Sequence, residues 1–487
     1  MGKEFFFDIV IIGGGVVGSA LARELSRYNV KVALLEKEIE LAFGVSKSNS
    51  GIIHPGTQNP ADSLKGRLCV LGNKLVKDIS KELGVDYKEV GELIVIFDEN
   101  QIGELIKIKN EAEKLGVPNL KIVDSKWLKK EEPNLSKDVI AALYAPTAGI
   151  ISPYRWTYDL AENAIANGVE IYTNNEVVEI KYENNDLALA DKRRFAVKTR
   201  QGNIFYSNYC INCAGLYADK VSAFVGLDYF KITPRKGEEY LLDKKLQNIT
   251  KHLIFPLPTN NSKGILVIKT SDGNPMVGPT AQDVVDKEDL TTTDEGFKKV
   301  FSQVKQMVPI ISESSVIAYF AGLRPVAGKD FIIKHENKVP GFVNVAGIQS
   351  PGLTASYSIA LFVVDILKLN GCDLSKKKNF KKHRKKTIHL FSIPLSETKK
   401  LVKSDESYGD IVCRCEMVSA KEIRDAVKRG AKTIDGIKFR TRATAGRCHG
   451  GFCTIRVAKI LSEELNLPIT EITKRGNNSK IVFGEKK

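Results

Sequence analysis

The sequence lacks three features that would each direct it to a different class of protein. No uninterrupted apolar stretch reaches the roughly 18 residues typical of a membrane-spanning helix, and the first residues, MGKEFFFDIV, show no secretion signal. No nucleic-acid-binding motif accompanies the net charge of +15. With 487 residues, 43% of them apolar, the chain can form two or three domains with buried cores. We therefore expect a cytoplasmic protein whose basic surface attracts an anionic substrate, an acidic partner or, peripherally, a membrane surface.

A glycine-rich turn near the N-terminus predicts a dinucleotide-binding unit. The stretch FFFDIVIIGGGVVGSALARELSRYNVKVALLE begins with an apolar strand over residues 5–12, followed by a glycine turn, a helix and a second apolar strand. In this context Gly13 permits the tight turn, Gly15 a close approach to a pyrophosphate, and Gly18 the packing of helix on strand. Glu36 ends the second strand, where a carboxylate accepts both hydroxyls of an adenosine ribose.

Two later segments also run from an apolar strand into a glycine turn. They are NYCINCAGLYAD at 208–219 and FVNVAGIQSPGLTASYSIALFVVD at 342–365. Together with the first unit and the segment SKSNSGIIHPG, they resemble the D-amino-acid-oxidase-like superfamily of FAD oxidoreductases over roughly residues 5–370. The resemblance implies FAD as the cofactor and a Rossmann-like α/β FAD-binding domain with an inserted α+β mixed-sheet substrate domain. The sequence has no second glycine fingerprint, so no separate NAD site is expected.

The same resemblance implies which residues contact the cofactor. The turn after 208–213 would lie near the adenine half, and the SNSG segment and the SPGLT helix start beside the flavin ring. The expected cofactor-binding residues are Gly13, Gly15, Gly18, Glu36, Ser48, Asn49, Ser50, Gly51, Ala214, Gly215, Gly347, Gly352, Leu353 and Thr354.

Cys210 and Cys213 form a CxxC motif that could indicate a metal or redox site. They fall on a predicted strand, where side chains alternate between faces, so an offset of three directs them to opposite sides. The sequence therefore predicts two buried core cysteines.

Within the superfamily, several segments are similar to the L-2-hydroxyglutarate oxidases and the glycerol-3-phosphate dehydrogenases. They are VSKSNSGIIHPG, EEPNL, ALYAPTAGIISP, MVGPTA and FAGLRP. Both groups oxidise a secondary alcohol on a small anion. The resemblance implies that Arg324 of GLRP meets this anion, which a guanidinium fork suits; a structural arginine paired with a surface acid is the alternative. Leu266 stands where hydroxyglutarate oxidases have a histidine, which weakens that assignment.

Two residues are candidates for removing the hydroxyl proton of the substrate. His54 follows the SNSG segment, where it would be a base or a flavin contact. Glu239 is the second candidate, although a surface carboxylate in a charged strand fits the sequence equally well. The nearby Arg235 and Lys236 are not expected to touch substrate.

Four of the eight cysteines lie near the C-terminus, in the pairs Cys413 and Cys415, and Cys448 and Cys453. Two thiolate pairs can hold a [2Fe–2S] cluster. Zinc is less favoured because a CxC pair departs from zinc-finger spacing, and an absence of metal is the third alternative. The segment resembles the bacterioferritin-associated-ferredoxin-like family, which implies a cluster on these four cysteines. A flavin domain followed by such a domain resembles the large subunit of anaerobic glycerol-3-phosphate dehydrogenases, which implies an electron-accepting partner subunit.

The basic stretch KKKNFKKHRKK, residues 376–386, predicts a solvated linker or hinge before the thiols, since eight of its eleven residues are Lys or Arg. The expected division is an FAD-binding domain of residues 1–90, 145–222 and 324–370, a substrate domain of 91–144 and 223–323, a basic linker of 371–409 and a small, mainly α iron–sulfur domain of 410–487. The resemblance implies oxidation of glycerol 3-phosphate. The alternatives are a 2-hydroxy acid, an amino or imino acid, or a non-catalytic electron-transfer subunit.

Overall fold

The computed structural model describes residues 2–183, 193–259 and 262–484. The helices are α1 Val16–Leu25, α2 Leu64–Leu83, α3 Ile102–Lys114, α4 Ser125–Glu131, α5 Pro153–Ala166, α6 Ala218–Ala223, α7 Asp294–Met307, α8 Gly352–Leu369, α9 Leu395–Ser404, α10 Ala420–Lys428, α11 Ile434–Thr441 and α12 Thr454–Leu465.

The strands alternate with these helices in the first half of the chain and dominate the middle. They are β1 Glu4–Phe6, β2 Ile9–Ile12, β3 Val32–Leu35, β4 Ile52–Ile53, β5 Tyr87–Glu89, β6 Glu92–Ile96, β7 Lys121–Asp124, β8 Ala141–Ala145, β9 Gly149–Ile151, β10 Glu170–Tyr172, β11 Val177–Tyr182, β12 Phe195–Thr199, β13 Ile204–Ser207, β14 Tyr209–Asn212, β15 Thr233–Leu242, β16 Leu253–Pro256, β17 Leu266–Lys269, β18 Pro275–Gly278, β19 Gln282–Asp283, β20 Val316–Val326, β21 Ile332–His335, β22 Phe342–Ala346, β23 Ile411–Cys413 and β24 Val418–Ser419.

The dinucleotide domain is built on a sheet of strand order β10-β3-β2-β14-β22-β21. Its strands pair in parallel except β21. Strands β2, β3 and β22 are buried along their whole length and are apolar except at Asn344, as expected for strands covered on both faces. Helices α1, α5 and α8 pack together on one side and share one apolar core with the sheet. The Rossmann-like α/β prediction is confirmed.

The predicted first strand, 5–12, is divided in two. β1 pairs with β13 in a separate sheet of order β1-β13-β12-β11, and β2 enters the dinucleotide sheet. The chain changes sheets at Asp8, whose carboxylate accepts a hydrogen bond from the Lys31 backbone at 2.8 Å and pairs with Arg193 at 2.9 Å. An apolar run alone cannot reveal this change of partner.

The inserted domain contains a large mixed sheet of order β19-β15-β18-β17-β16-β6-β8-β7, with β20 paired to β15. Separate apolar cores lie on its two faces. β8 and β20 continue past the expected domain boundaries at 144 and 323. Arg324 consequently lies on the inserted domain's sheet, in register with Arg235 of β15.

The basic stretch 376–386, for which the sequence predicted a solvated linker or hinge, is fastened to the dinucleotide domain. The Lys377 backbone N–H donates to the Arg27 carbonyl at 2.7 Å. The Arg384 guanidinium, which is largely buried, pairs with Asp159 at 3.0 Å and with Glu162. Most of the lysines in the stretch face solvent, as the sequence predicts. The attachment of the backbone to the dinucleotide domain was not predicted.

The C-terminal domain docks on the rest of the chain through buried ion pairs. Glu40 accepts a hydrogen bond from the Lys432 backbone at 2.6 Å and pairs with Arg440 at 2.8 Å, and both carboxylate and guanidinium are buried. On the other side, Arg442 pairs with Asp272 of the inserted domain at 2.9 Å. Removing one partner of such a pair would leave the other charge buried and unpaired, at a cost of about 3–5 kcal/mol.

Helix α8 is the one helix in the described ranges long and apolar enough to span a membrane, with a mean hydropathy of 1.5 over residues 352–369. The sequence-based prediction recognised no such segment. In the fold, 61% of that window is buried, and the helix packs against α1 and α2. It therefore serves as a core helix of the dinucleotide domain.

Candidate active site and thiol centre

The dinucleotide turn is shaped by two close backbone approaches. Gly13 follows β2 with a φ of 110°, and a Cβ there would lie 2.4 Å from the Cys213 carbonyl oxygen. A Cβ on Gly18 would lie 2.0 Å from the Gly13 carbonyl oxygen. Both positions therefore require glycine. The Val16 N–H, in the first turn of α1, donates to the Ser46 hydroxyl at 2.9 Å, which brings the segment 45–47 across the helix N-terminus.

Glu36 occupies the end of β3 as the sequence predicts. Its carboxylate accepts hydrogen bonds from the backbone N–H groups of Gly14 at 2.7 Å and Glu38 at 2.8 Å. Burial raises the pKa of this carboxyl above its ordinary value. The two N–H groups hold the side chain at the rim of the cavity, where an acceptor for ribose hydroxyls would stand.

A cavity of about 930 Å³ extends from this turn into the inserted domain. It is lined by every predicted cofactor-binding residue except Gly18, Gly347 and Thr354. Gly18 lies beneath the turn, and the Thr354 hydroxyl, at the start of α8, accepts a hydrogen bond from the His54 backbone at 2.9 Å. The residues fit an elongated dinucleotide, because glycine backbone and a helix N-terminus stand at one end and polar side chains at the other.

The three predicted catalytic residues face this same cavity. Arg324 donates to the Thr280 carbonyl at 2.6 Å, and burial lowers the pKa of its guanidinium. Gly237 on the neighbouring strand makes room for it, since a Cβ there would lie 2.1 Å from Nη2. His54 is half-buried, with Nε2 3.5 Å from the Ser350 hydroxyl. Burial, and then the charge of Lys263, lower the pKa of His54 well below its ordinary value, so the ring is neutral at pH 7.

Glu239 is not the surface carboxylate that the sequence allowed. It is only 3% exposed, and Oε1 accepts a hydrogen bond from the Ser50 hydroxyl at 2.6 Å. Within the described residues, Oε2 has no partner. Burial raises the pKa of Glu239 to about 7, opposed by the hydrogen bond from Ser50 and the charge of Arg324. A buried carboxyl that titrates near neutral pH can act as an acid or a base.

Lys263 is a cavity residue that the sequence analysis missed. It lies just before β17, three residues from Leu266, which also lines the cavity. Burial lowers the pKa of its ammonium, with Cys69 and Glu92 acting in the opposite direction. Nothing in the local sequence separates this lysine from the other basic residues, which total 73 Lys and Arg. Arg235 and Lys236 instead pair with Asp283 and Asp289 at 2.6 and 2.8 Å, as expected for residues away from the substrate.

The cavity is therefore positively charged at its inserted-domain end. Arg324 and Lys263 both line the cavity there and are half-buried, and the electric field of partly buried cations is less screened by water than that of exposed ones. Such a site attracts a small carboxylate or phosphate and places it beside His54 and Glu239.

The C-terminal cysteines are arranged in two pairs, each joining the two motifs. The sulfurs of Cys415 and Cys448 lie 3.3 Å apart, and Cys413 and Cys453 are hydrogen-bonding partners. Within the described ranges, no group of three or more Cys, His, Asp or Glu side chains converges as it would around a single ion. Two thiol pairs fit a two-iron cluster better than a single metal ion, because each iron of such a cluster takes two protein ligands.

The loops that carry these thiols direct backbone N–H groups at the sulfurs. The N–H groups of Glu416 and Thr444 point at Cys413, and those of Gly450 and Phe452 at Cys448. Such donors stabilise thiolates and metal-bound sulfur. The loops also hold non-glycine residues in the left-handed region, a strained conformation that tends to gather at functional sites. These residues are Met417, Arg442, Thr444 and His449.

We expect that Glu239→Gln will flatten the dependence of stability on pH. Burial raises the pKa of Glu239 from 4.5 to about 7, so the folded chain keeps a proton that the unfolded chain releases. The resulting stability is complete below about pH 4.5 and is lost as the pH rises through 7. The loss amounts to roughly 3 kcal/mol at most. Thermal unfolding midpoints at pH 5 and pH 8 should differ less in the variant than in the unaltered protein; equal differences would contradict the assignment.

Cys210 and Cys213 are buried, as predicted, on opposite sides of their strand. Cys210 packs in the core between the dinucleotide sheet and the β1 sheet, and Cys213 packs in the core beneath α1 and α8. Burial raises the pKa of both thiols. Neither has the low pKa of a reactive or metal-binding thiol.

Comparison with known proteins agrees with this geometry. Residues 8–366 match the family model described as FAD dependent oxidoreductase, and residues 411–463 match the BFD-like [2Fe-2S] binding domain. A glycerol 3-phosphate dehydrogenase of Caloramator mitchellensis is 41% identical over 485 residues, which cover 99% of both chains. The mitochondrial L-2-hydroxyglutarate dehydrogenase of Bos taurus is 30% identical over 64% of this chain and 67% of its own.

Among solved structures, the dithionite-reduced L-alpha-glycerophosphate oxidase of Mycoplasma pneumoniae, with FAD bound, is similar with a TM-score of 0.73 and 32% identity. The match covers 78% of this chain and 98% of that one. The fingerprint turn, the shared cavity and the paired thiols agree with both family matches. The chain belongs to the FAD-dependent oxidoreductase family and carries a C-terminal BFD-like [2Fe–2S] domain, so FAD and a [2Fe–2S] cluster are its cofactors.

Proposed function

We propose that this chain is a glycerol-3-phosphate dehydrogenase that oxidises sn-glycerol 3-phosphate to dihydroxyacetone phosphate. The observation that carries the proposal is that the dinucleotide turn, the two cations Arg324 and Lys263 and the two candidate bases all line one cavity. The similarity to a glycerol 3-phosphate dehydrogenase, 41% identical over 99% of this chain, supports this substrate over a 2-hydroxy acid, because the L-2-hydroxyglutarate dehydrogenases are 28–30% identical over 64–74% of this chain.

The proposed chemistry removes a hydride from C2 of the substrate and a proton from its hydroxyl group. FAD, when bound, supplies the hydride acceptor, and the [2Fe–2S] cluster supplies a one-electron carrier. Arg324 and Lys263 hold the phosphate, since both are half-buried cations that line the cavity. The cavity walls exclude bulk water from that contact and so strengthen it.

His54 is the proposed base for the hydroxyl proton. Its ring is neutral because burial and Lys263 lower its pKa, and a neutral ring has a nitrogen lone pair that can accept the proton. The phosphate dianion of the substrate would offset the charge of Lys263 and favour protonation of the ring when it is needed. Glu239 is the second candidate, and its link to Ser50 places it beside the predicted flavin-binding segment.

We propose that electrons leave through the thiol domain to a partner protein in the cytoplasm. Cys415 is exposed and Cys448 half-exposed, whereas Cys413 and Cys453 are buried. Three apolar side chains within two residues of a cluster cysteine are exposed, and Phe452 is 87% exposed. Met417 and Ile455 are also solvent-accessible. An apolar patch at a redox centre, with Arg414 beside it, has the composition of a transient protein interface.

Anaerobic titration with glycerol 3-phosphate, followed by absorbance, tests the proposal. Stoichiometric substrate should bleach the flavin band and then the cluster band. In His54→Ala, flavin content should be normal, but bleaching should be slower by roughly 10² to 10⁴. Bleaching only by L-2-hydroxyglutarate or an amino acid would move the function to that substrate. No bleaching by any of them would indicate an electron-transfer subunit, and full-speed bleaching in the variant would exclude His54 as the base.

A further inference from the structure

One wall of the dinucleotide cavity comes from the C-terminal domain. Residues 475–477 line the cavity together with Gly13, Glu36 and Ile39. They belong to a turn closed by the Lys474 N–H, which donates to the Ser479 carbonyl at 2.7 Å. The turn is held against α11, because the Asp435 N–H donates to the Lys474 carbonyl at 2.8 Å. The turn is therefore part of the thiol domain.

The turn fits closely against the dinucleotide domain. Gly476 is buried, has a φ of 90°, and a Cβ there would lie 2.8 Å from the Ile39 side chain. Lys432 of the same domain donates to the Thr173 hydroxyl at 3.1 Å. Both contacts lie at the carboxyl ends of β3 and β10, the edge at which Glu36 stands.

The turn also brings positive charge to the phosphate end of the cavity. Arg475 and Lys47 both line the cavity, and their charges act on each other. Lys47 follows Ser46, the residue that accepts from the first turn of α1. In this fold the diphosphate lies at that helix N-terminus. In the described part of the chain, the guanidinium of Arg475 makes no hydrogen bond or ion pair, so it is available to an anion.

The oxidoreductase family match ends at residue 366, and the Mycoplasma oxidase matches 78% of this chain over 98% of its own length. The wall at 475–477 is thus supplied by a part of the chain that lies outside the family match.

We propose that the turn Arg475–Asn477 completes the FAD site, with Arg475 bound to the phosphates of the nucleotide, so that the iron–sulfur domain itself retains the flavin. The proposal concerns cofactor binding and is independent of which substrate the enzyme oxidises. If the docked thiol domain strengthens the binding of FAD, thermodynamic linkage requires that bound FAD also stabilises the docked position of that domain.

The affinity for FAD tests this role without reference to activity. Full-length protein stripped of flavin is titrated with FAD, and the dissociation constant is read from flavin fluorescence. Arg475→Glu should weaken binding roughly tenfold or more, since a charge-assisted contact becomes a repulsion. Arg475→Lys should stay within about threefold of the unaltered chain, because it keeps the positive charge. Lys459→Glu, an exposed charge reversal on α12 away from the cavity, is the matched control and should bind FAD normally.

Iron content and cluster absorbance verify that each variant is folded. A dissociation constant for Arg475→Glu within twofold of the control would overturn the proposal. As a second measurement, hydrogen exchange of residues 473–480 in the unaltered chain should slow when FAD binds. Unchanged exchange there would overturn the proposal even if the variant proved unstable.

Discussion

Arg324→Met should lose nearly all turnover of glycerol 3-phosphate while retaining its flavin. The guanidinium is half-buried and lines the cavity, held by the Thr280 carbonyl and given room by Gly237. A substrate phosphate left without this partner in a poorly hydrated site costs about 3–5 kcal/mol, so kcat/KM should fall about 100- to 5,000-fold. Steady-state kinetics with an artificial acceptor, together with flavin content, measure this loss.

Arg235→Met is the matched control for that substitution. Arg235 lies opposite Arg324 on the neighbouring strand, but it pairs with Asp283 and does not line the cavity. Its replacement should change kcat/KM less than about threefold, because a partly exposed ion pair contributes little. Arg324→Lys should recover only part of the lost kcat/KM, because lysine keeps the positive charge but cannot form the two parallel hydrogen bonds of a guanidinium. Full activity in Arg324→Met would leave Lys263 as the principal anion contact.

Cys453→Ala should abolish electron delivery to a protein acceptor and leave reduction of the flavin intact. The thiol is buried in the pair with Cys413, so no water or neighbouring side chain can easily replace it. Iron should fall from about two atoms per chain towards zero. Reduction of cytochrome c, which is too large to enter the cavity, should slow at least about 100-fold. Anaerobic bleaching of the flavin by substrate should keep its rate.

Cys372→Ser is the control for the thiol substitution. Cys372 is also a free, buried cysteine, but it packs in the core of the dinucleotide domain. It should keep both iron and cytochrome reduction. Retained iron in Cys453→Ala would show that the cluster is held differently, and retained cytochrome reduction without iron would show that electrons leave the flavin directly.

The parts of the molecule that the sequence predicts are those fixed by local spacing. The turn at Gly13, Gly15 and Gly18 can be recognised because one strand and one helix determine its geometry. The four terminal thiols can be recognised because a cluster needs that many sulfurs in two pairs. In both cases the chemistry is contained in a short stretch of chain.

Residues that act through distant partners were harder to predict. Lys263 becomes a cavity residue only through the tertiary fold, since it lies more than 200 residues from the glycine turn that lines the same cavity. The anchoring of the stretch 376–386 depends on Asp159 and Glu162, more than 200 residues earlier in the chain. The sequence also left Glu239 undecided, because its burial depends on pairing between β15 and β20 across about 80 residues. None of these contacts can be predicted from the charge composition or the hydrophobic periodicity of the sequence.

The ion pairs at Glu40 and Asp272 attach the thiol domain to both of its neighbours. An electron passing between the two cofactors would therefore cross a static stretch of protein whose length is set by the fold. Its rate would depend on distance, driving force and reorganisation energy, and would be insensitive to solvent viscosity. Electron transfer between the cofactors would need no domain movement, and the only diffusive step would be the arrival of the acceptor at Phe452.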